Sequence, residues 1–184
     1  MTTDLLDRKL ERAFTHLDAD GSGGIDEHDI IALGSRLLSA LAEPADSPKA
    51  TQVMTGLVGF WQELFTELDL DRDGKVTPEE YKLGMTRLYA DGGPAYDRSF
   101  RPMMEAFLTV VDTDGDGRIS PEEFHKGQEA FDTRLSFTDT ETLFRRIDTD
   151  GDGTLSVDEL LAAVREYYTG TDEEAPGNLL FGEL

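Results

Sequence analysis

The chain of 184 residues is 38% hydrophobic and contains ten Phe, which is enough for one large domain or two small lobes with a buried core. Its net charge of -22 argues against nucleic acid as a partner, because so negative a surface repels phosphates. The absence of cysteine excludes disulfides, thiolate metal sites and cysteine nucleophiles.

The amino-terminal segment predicts neither a secretion signal nor a lipid anchor. Residues 1–14 contain acids where a signal peptide has basic residues, and Thr2 excludes the N-myristoylation motif. The most apolar run, residues 53–61, is far shorter than the roughly 20 residues of a membrane-spanning helix. We therefore expect a soluble, cytoplasmic protein without membrane contact.

The acidic residues are concentrated in four clusters that begin at intervals of 51, 43 and 36 residues. Before each cluster, apolar residues recur at helical spacing, so an amphipathic helix is predicted to lead into it. The clusters occupy residues 18–29, 69–80, 112–123 and 148–159. The apolar positions before them are Leu10, Phe14 and Leu17; Trp61, Leu64, Phe65 and Leu68; Met104, Phe107, Leu108 and Val111; and Leu143, Phe144 and Ile147.

A second helix is predicted after each cluster. Thr77, Ser120 and Ser156 are suitable N-caps, each followed three residues later by Glu, and Asp26 with Asp29 is a weaker version. Each of these helices has its first apolar residue one position past the final acid, at Ile30, Tyr81, Phe124 and Leu160. Breaks at 43–50, 91–97 and 131–137 complete an all-α pattern of eight helices in four helix-loop-helix units.

The spacing of the acids within each cluster matches the needs of calcium. The ion takes about six to eight oxygens, and a twelve-residue loop supplies them from positions 1, 3, 5, 7, 9 and 12 around a glycine at position 6. The alternative, a solvated acidic loop, does not explain four repeats with helices on both sides. The predicted ligands of the last three loops are Asp69, Asp71, Asp73, the Lys75 carbonyl and Glu80; Asp112, Asp114, Asp116, the Arg118 carbonyl and Glu123; and Asp148, Asp150, Asp152, the Thr154 carbonyl and Glu159.

The first loop departs from this pattern. Its predicted ligands are Asp18, Asp20, Ser22, the Gly24 carbonyl and Asp29. Aspartate at position 12 is one methylene shorter than the usual glutamate, which removes one ligand from calcium but little from six-coordinate magnesium. Three alternatives stay open: a weak or magnesium-preferring site, an ordinary calcium site, or a loop without an ion. The chain is thus expected to bind three or four Ca²⁺, with Mg²⁺ as an alternative in the first loop.

These loops and their flanking helices resemble the EF-hand family over almost the whole chain. The resemblance implies four EF-hands in two paired lobes packed into a compact globule, in which the hydrophobic residues at position 8 (Val76, Ile119 and Leu155) pair neighbouring loops. We expect an amino-terminal pair over residues 1–90, a carboxy-terminal pair over 98–168 and a tail over 169–184. Dockerin-type loops share the acidic spacing, but the full helix entering each loop argues against them.

The long interval between the first two loops resembles the sarcoplasmic calcium-binding proteins and their bacterial relative calerythrin. That resemblance implies a monomeric calcium buffer or storage protein, with a calcium sensor acting on a partner protein as the alternative. Apart from Met1 there are four methionines, which is few for a sensor's target groove, and we expect them in the core. The apolar residues near the end, Leu179, Leu180 and Phe181, are predicted to occupy the cleft that a target would use in a sensor.

A catalytic role is not expected. The three histidines, His16, His28 and His125, belong to no catalytic motif, and we interpret them as surface or helix residues. The calcium-triggered photoproteins share the expected fold, but the single tryptophan of this chain, Trp61, is too few for a luciferin site like theirs. We expect Trp61 in the core.

Overall fold

The computed structural model describes residues 4–89, 94–131 and 133–182. The described residues form the eight α-helices that the sequence predicts, together with a short 3₁₀ turn in the tail. None of these helices combines the length and the apolar character needed to cross a membrane. The helices are α1 (Asp4–Leu17), α2 (Glu27–Ala40), α3 (Pro48–Leu68), α4 (Pro78–Tyr89), α5 (Pro94–Val111), α6 (Pro121–Ala130), α7 (Phe137–Ile147) and α8 (Val157–Thr169), and the 3₁₀ turn spans Pro176–Leu179.

The helix after each acidic loop begins at the cap that the sequence predicts. Ser120 accepts a hydrogen bond from the Glu123 N–H, and the Glu123 carboxylate accepts one from the Ser120 N–H, which is a complete capping box. Ser156 repeats the box in α8, and Asp26 forms it with Asp29 in α2. A carboxylate in the first turn also suits the helix dipole. The local sequence therefore determines where these helices start.

Neighbouring loops pair through the apolar residue at position 8. Ile25 and Val76 exchange two backbone hydrogen bonds of 2.9 Å, and Ile119 and Leu155 exchange two of 3.0 and 2.8 Å. The side chains of these residues are fully buried. This antiparallel contact joins the first hand to the second and the third to the fourth, which confirms the predicted pairing.

The two pairs of hands pack closely on each other. Helix α3 of the second hand lies along α5 of the third, and α2 contacts α6. The first and last hands also meet, because the buried ammonium of Lys9 in α1 donates to the Gly170 carbonyl at the end of α8 (3.0 Å), and the Tyr167 hydroxyl donates to the Lys9 carbonyl (2.6 Å). The predicted compact arrangement of two paired lobes is confirmed. The side chains of Trp61 and Phe144 are both buried in the core. The division of the chain at residues 90 and 98 remains a proposal.

A cavity of about 120 Å³ lies where helices of all four hands converge, and we call it the interhelical cavity. Its wall consists mainly of Leu, Phe and Met side chains, including Met85, Met103 and Met104. Among the residues that the structure describes, no Asp, Glu, Lys or Arg lines it. Of the four methionines expected in the core, Met85 is buried and the other three are partly buried against the core; Met85, Met103 and Met104 border this cavity.

The end of the chain packs against the helices. The Leu180 side chain is buried, and the Phe181 ring lies edge-on to Tyr167 with 4.8 Å between ring centroids. The Arg12 Nε donates to the Phe181 carbonyl at 2.7 Å, which ties the tail to α1. Leu180 and Phe181 both line the interhelical cavity, whereas Leu179 packs against the core without lining it. The predicted docking of the tail is confirmed for Leu180 and Phe181 but not for Leu179, and what it does for function belongs to the proposal below.

The close approach of α3 and α5 depends on Gly56. A methyl group at this position would stand 2.7 Å from the Ala106 Cβ of α5, whereas one at Gly59 in the same helix would meet nothing within 4 Å. We therefore expect Gly56→Ala to lower the free energy of unfolding by about 1 to 3 kcal/mol through overpacking. Gly59→Ala is the matched control and should be neutral or stabilising by up to about 1 kcal/mol, since alanine favours the helix. Urea denaturation in calcium measures both, and equal effects would show that the α3–α5 crossing tolerates the extra methyl.

Candidate metal centres

Each of the four loops brings three carboxylates together. In every cluster, one oxygen from each residue lies within 4.8 Å of the others. This spacing lets a single cation contact all three, and oxygen-only sites suit hard ions such as calcium and magnesium. The four clusters are Asp18, Asp20 and Asp29; Asp69, Asp71 and Asp73; Asp112, Asp114 and Glu123; and Asp148, Asp150 and Glu159.

The acid at position 12 holds both ends of its loop by the same two contacts in every hand. In the third loop, Glu123 Oε1 accepts the Thr113 N–H at position 2 (2.7 Å), and Oε2 accepts the Ser120 N–H at position 9 (2.9 Å). The equivalent contacts of Glu80 and Glu159 are 2.9 to 3.0 Å long. The closing carboxylate thus fixes the loop's width and attaches it to the helix that follows.

Asp29 makes the same two contacts despite its shorter side chain. Its Oδ1 accepts the Ala19 N–H and its Oδ2 the Asp26 N–H, both at 2.9 Å, and the side chain is buried. The first loop therefore closes like the others. The difference that remains is how far the carboxylate reaches toward an ion.

Hydrogen bonds favour the ionised form of the three closing glutamates. Burial raises the pKa of Glu123, but the N–H and hydroxyl donors of Ser120 and Thr113 outweigh it and lower this pKa to about 2. The pKa of Glu159 is also lowered, because the bonds from Ser156 and Thr149 exceed the effect of burial. In Glu80 the backbone bond from Thr77 is the main cause of a lowered pKa. These groups are ready as anionic ligands at neutral pH.

The backbone of the loops also orients the carboxylates at positions 1, 3 and 5. In the third loop Asp112 accepts the Gly117 N–H at 2.9 Å and Asp114 accepts the Asp116 N–H at 3.1 Å. Asp116 in turn accepts the Arg118 N–H at 2.8 Å. The fourth loop repeats all three bonds with Asp148, Asp150 and Asp152 as the acceptors. The predicted side-chain ligands therefore face into their loops.

Two positions of each loop require a left-handed backbone. Position 6 is glycine in all four loops, with φ from +80° to +94°. Position 4 also has positive φ, and it is glycine in three loops but Arg72 (φ +60°) in the second. A non-glycine residue in this conformation costs about 1 to 2 kcal/mol, so the second loop has a local strain that the other three lack.

In the second and third loops, the side chain at position 7 contacts the neighbouring loop, which its predicted role as a carbonyl ligand does not anticipate. The Lys75 ammonium of the second loop lies 3.5 Å from Asp26 Oδ2 and 3.4 Å from the Ser22 hydroxyl of the first loop. In the other pair, Arg118 Nη1 of the third loop lies 3.6 Å from Asp152 Oδ2 of the fourth. Position 7 directly precedes the residue that pairs the loops, and this adjacency is the sequence signal from which the contact across each pair could have been inferred.

The structure brings most predicted ligands together, with differences in each loop among the described residues. The three-carboxylate cluster of the second loop contains Asp73 instead of Glu80, and the clusters of the third and fourth loops do not include Asp116 and Asp152. In the first loop, the Ser22 hydroxyl donates to the Gly24 carbonyl at 3.0 Å, so these two predicted ligands contact each other. The carbonyls of Lys75, Arg118 and Thr154 remain predicted ligands.

The histidines are placed differently from one another. His28 is exposed and contacts Asp26, and His125 on α6 contacts Thr140 and Glu129. His16 on α1 borders the interhelical cavity, with its ring against Phe131 and Phe181. The sequence predicts the helix that carries His16 but not the cavity beside it.

Comparison with known proteins agrees with this geometry. The family model described as an EF-hand domain pair matches residues 60–129 and 100–165, which together exceed half of the chain. The chain belongs to the EF-hand family. Among curated proteins, none matches the chain in sequence.

Solved structures of EF-hand proteins share the whole fold. A calcium-binding protein from Streptomyces coelicolor is 29% identical, with a TM-score of 0.78 over 91% of this chain and 99% of that one. The amphioxus sarcoplasmic calcium-binding protein is 20% identical, with a TM-score of 0.78 over 100% of both chains. Apo-aequorin from Aequorea victoria in its calcium-loaded form is 21% identical, with a TM-score of 0.76 over 94% of both chains. The suspected resemblance to the sarcoplasmic proteins is confirmed at the level of fold.

The first loop supplies a test of side-chain reach. We expect Asp29→Glu to strengthen the weakest ion site, because the added methylene lets both carboxylate oxygens approach the ion. The reciprocal change, Glu123→Asp, should weaken the third site at least several-fold. Isothermal titration with calcium gives the stoichiometry and the weakest affinity of each variant. An Asp29→Glu protein with both unchanged would contradict the argument from side-chain length.

Proposed function

We propose that this EF-hand protein binds at least three calcium ions and acts as a calcium buffer or storage protein. The observation that carries the proposal is that all four closing carboxylates accept the same two loop N–H groups, so every loop closes in the same way around its predicted ligands. The ions would be held in the second, third and fourth loops by the ligands predicted from their sequences. The protein would work as a monomer whose only required partners are the ions.

The first loop is assigned the weakest site in this proposal. Lys75 places a positive charge beside two of its ligand positions, and an ion would have to bind next to that charge. The short side chain of Asp29 reduces the coordination available to calcium more than that available to magnesium. A weak calcium site or a magnesium site fits both observations.

The closed apolar surface supports buffering. A sensor exposes an apolar groove when calcium binds, whereas here the lobes cover each other's apolar faces and the tail covers the end of the cavity. The large apolar side chains exposed among the described residues are scattered over four elements. They are Ile31, Leu70, Leu83 and Phe137. Scattered side chains of this kind are normal on a monomer and form no docking groove.

A calcium sensor is the second candidate function. The structure of the Streptomyces coelicolor protein is described as the basis for prokaryotic calcium-mediated regulation by that protein. If this chain regulated a partner in the same way, the tail would have to leave the helices when calcium binds. Buffer and sensor thus differ in whether Leu180 and Phe181 stay in place.

The proposal includes no catalytic activity. His28 contacts the surface carboxylate of Asp26, and His125 contacts Thr140 and Glu129; we assign neither contact a catalytic role. A photoprotein-like reaction is not proposed either. Trp61, the single tryptophan of the chain, packs against Phe65 and is not among the described residues that line the interhelical cavity.

Titration with calcium tests the ion stoichiometry. We expect isothermal titration at up to millimolar calcium to find at least three sites per chain. Glu123→Gln should remove one of them, because the amide has one acceptor oxygen where the carboxylate has two. Glu122→Gln changes the neighbouring, exposed glutamate of the same helix turn and should leave the number unchanged. Fewer than three sites in the wild-type protein would overturn the proposal.

Removal of the tail separates buffer from sensor. Deletion of residues 176–184 should expose the cavity and raise the fluorescence of a hydrophobic dye several-fold in calcium, because Leu180 and Phe181 are withdrawn from its wall. The double variant Leu180→Ala, Phe181→Ala should act in the same direction, and Glu173→Ala, at an exposed tail position, is the control.

Dye binding by the full-length protein distinguishes the buffer from the sensor. Weak dye binding with and without calcium supports the closed buffer. Strong dye binding on addition of calcium, with no further effect of the deletion, would replace the buffer with the sensor.

A further inference from the structure

The interhelical cavity contains a polar atom that the fold leaves without a partner. Gln128 on α6 lines the cavity, and its side chain is only 6% exposed. Among the residues that the structure describes, its Oε1 has no hydrogen-bond partner. An unpaired buried acceptor destabilises the protein, so a molecule that donates a hydrogen bond here gains an advantage over a purely apolar one.

A water molecule is a poor occupant of this place. Buried waters make two to four hydrogen bonds, and apolar cavities of this size stay dry. The wall around Gln128 is made chiefly of hydrocarbon side chains, including Phe107 and Phe131. A ligand that carries its own apolar body together with one hydroxyl or N–H group fits the wall better.

Size and charge narrow the class of ligand. An engineered apolar cavity of about 150 Å³ binds benzene, so a volume of about 120 Å³ suits one aromatic ring or an aliphatic group of similar size. Because the described wall contains no Asp, Glu, Lys or Arg, a cationic ligand would lose its hydration without gaining a counter-ion, and an anionic ligand would find only the His16 imidazole.

We propose that the interhelical cavity is a binding site for a small neutral ligand with one ring-sized apolar body and one hydroxyl or N–H group, which hydrogen-bonds to Gln128. A hydroxyl group suits either orientation of the glutamine amide, since it both donates and accepts. This site is additional to calcium storage, and the experiments that test it do not depend on the number of ions bound.

The wall of the cavity is connected to the calcium loops. Tyr81, Phe124 and Leu160 line it, and each directly follows the closing glutamate of its loop. Gln128 lies on the same helix as Glu123, five residues further along. An ion that draws these glutamates into a fixed position also fixes the wall. Ligand and calcium should therefore increase each other's affinity, since coupling between two sites is reciprocal.

Two fluorinated probes test the assignment with the calcium-loaded, full-length protein. ¹⁹F NMR titration should show that 4-fluorophenol binds saturably and more tightly than fluorobenzene. Gln128→Leu keeps most of the bulk of the side chain but removes the acceptor, and it should lower the preference for the phenol at least tenfold. No saturable binding of 4-fluorophenol, or an equal preference in the wild type and Gln128→Leu, would overturn the proposal.

A second pair of variants locates the probe. Leu57→Trp fills the cavity from α3 and should abolish binding of both probes, whereas Leu83→Trp, at an exposed position of α4, should leave it unchanged. Calcium stoichiometry measured on the same samples reports whether each variant keeps its loops. Retained binding in Leu57→Trp would place the probe elsewhere and overturn the assignment.

The expected coupling between calcium binding and ligand binding can be measured separately. Replacing calcium with a chelator should weaken 4-fluorophenol at least tenfold in the wild-type protein, and the phenol should tighten calcium binding by the same factor. Equal affinities with and without calcium would contradict the connection through the closing glutamates. This comparison does not depend on whether the protein serves as a buffer or a sensor.

Discussion

The closing carboxylate is the interaction on which the rest of this structure depends. Its two oxygens accept N–H groups from positions 2 and 9, so one side chain sets both the width of the loop and the start of the next helix. The residue immediately after it is buried in the core in all four hands. These residues are Ile30, Tyr81, Phe124 and Leu160. An ion site and a piece of the core are thus built on consecutive residues, and neither can move without the other.

Repulsion between the ligand carboxylates makes the same arrangement energetically costly. Three carboxylate oxygens within 4.8 Å repel one another by roughly 3 to 4 kcal/mol per pair at a dielectric constant of 20. Loop N–H groups reduce this cost, as the lowered pKa of Glu123 shows, but they carry only partial charges. A divalent ion provides the remaining compensation, and an ion bound at 100 times its dissociation constant stabilises the folded state by about 2.7 kcal/mol per site. Metal binding and stability are therefore linked in this fold.

The contacts between the lobes distinguish this molecule from a pair of independent EF-hand units. Lys9 joins the first helix to the end of the eighth, and Gly56 lets α3 and α5 approach closely. Arg12 then fastens the tail beside them. Because these contacts enclose the apolar faces of all four hands, a small cavity is left where the helices converge. The storage and ligand-binding proposals both arise from this enclosure, the first because it hides the apolar faces and the second because it leaves a space inside.

Local chemistry explains how much the sequence by itself determined. The acidic loops, the N-caps at Ser120 and Ser156, and the apolar periodicity of the helices depend on residues close together in the chain, so four helix-loop-helix units and their carboxylate ligands were predictable. The pairing through Ile25 and Val76 was predictable as well, since position 8 is apolar in every loop. Only the tertiary structure decided that Lys75 crosses to the first loop and that Gln128 faces a cavity. These features depend on residues far apart in sequence, whose distances are set by how whole helices pack and not by any local pattern.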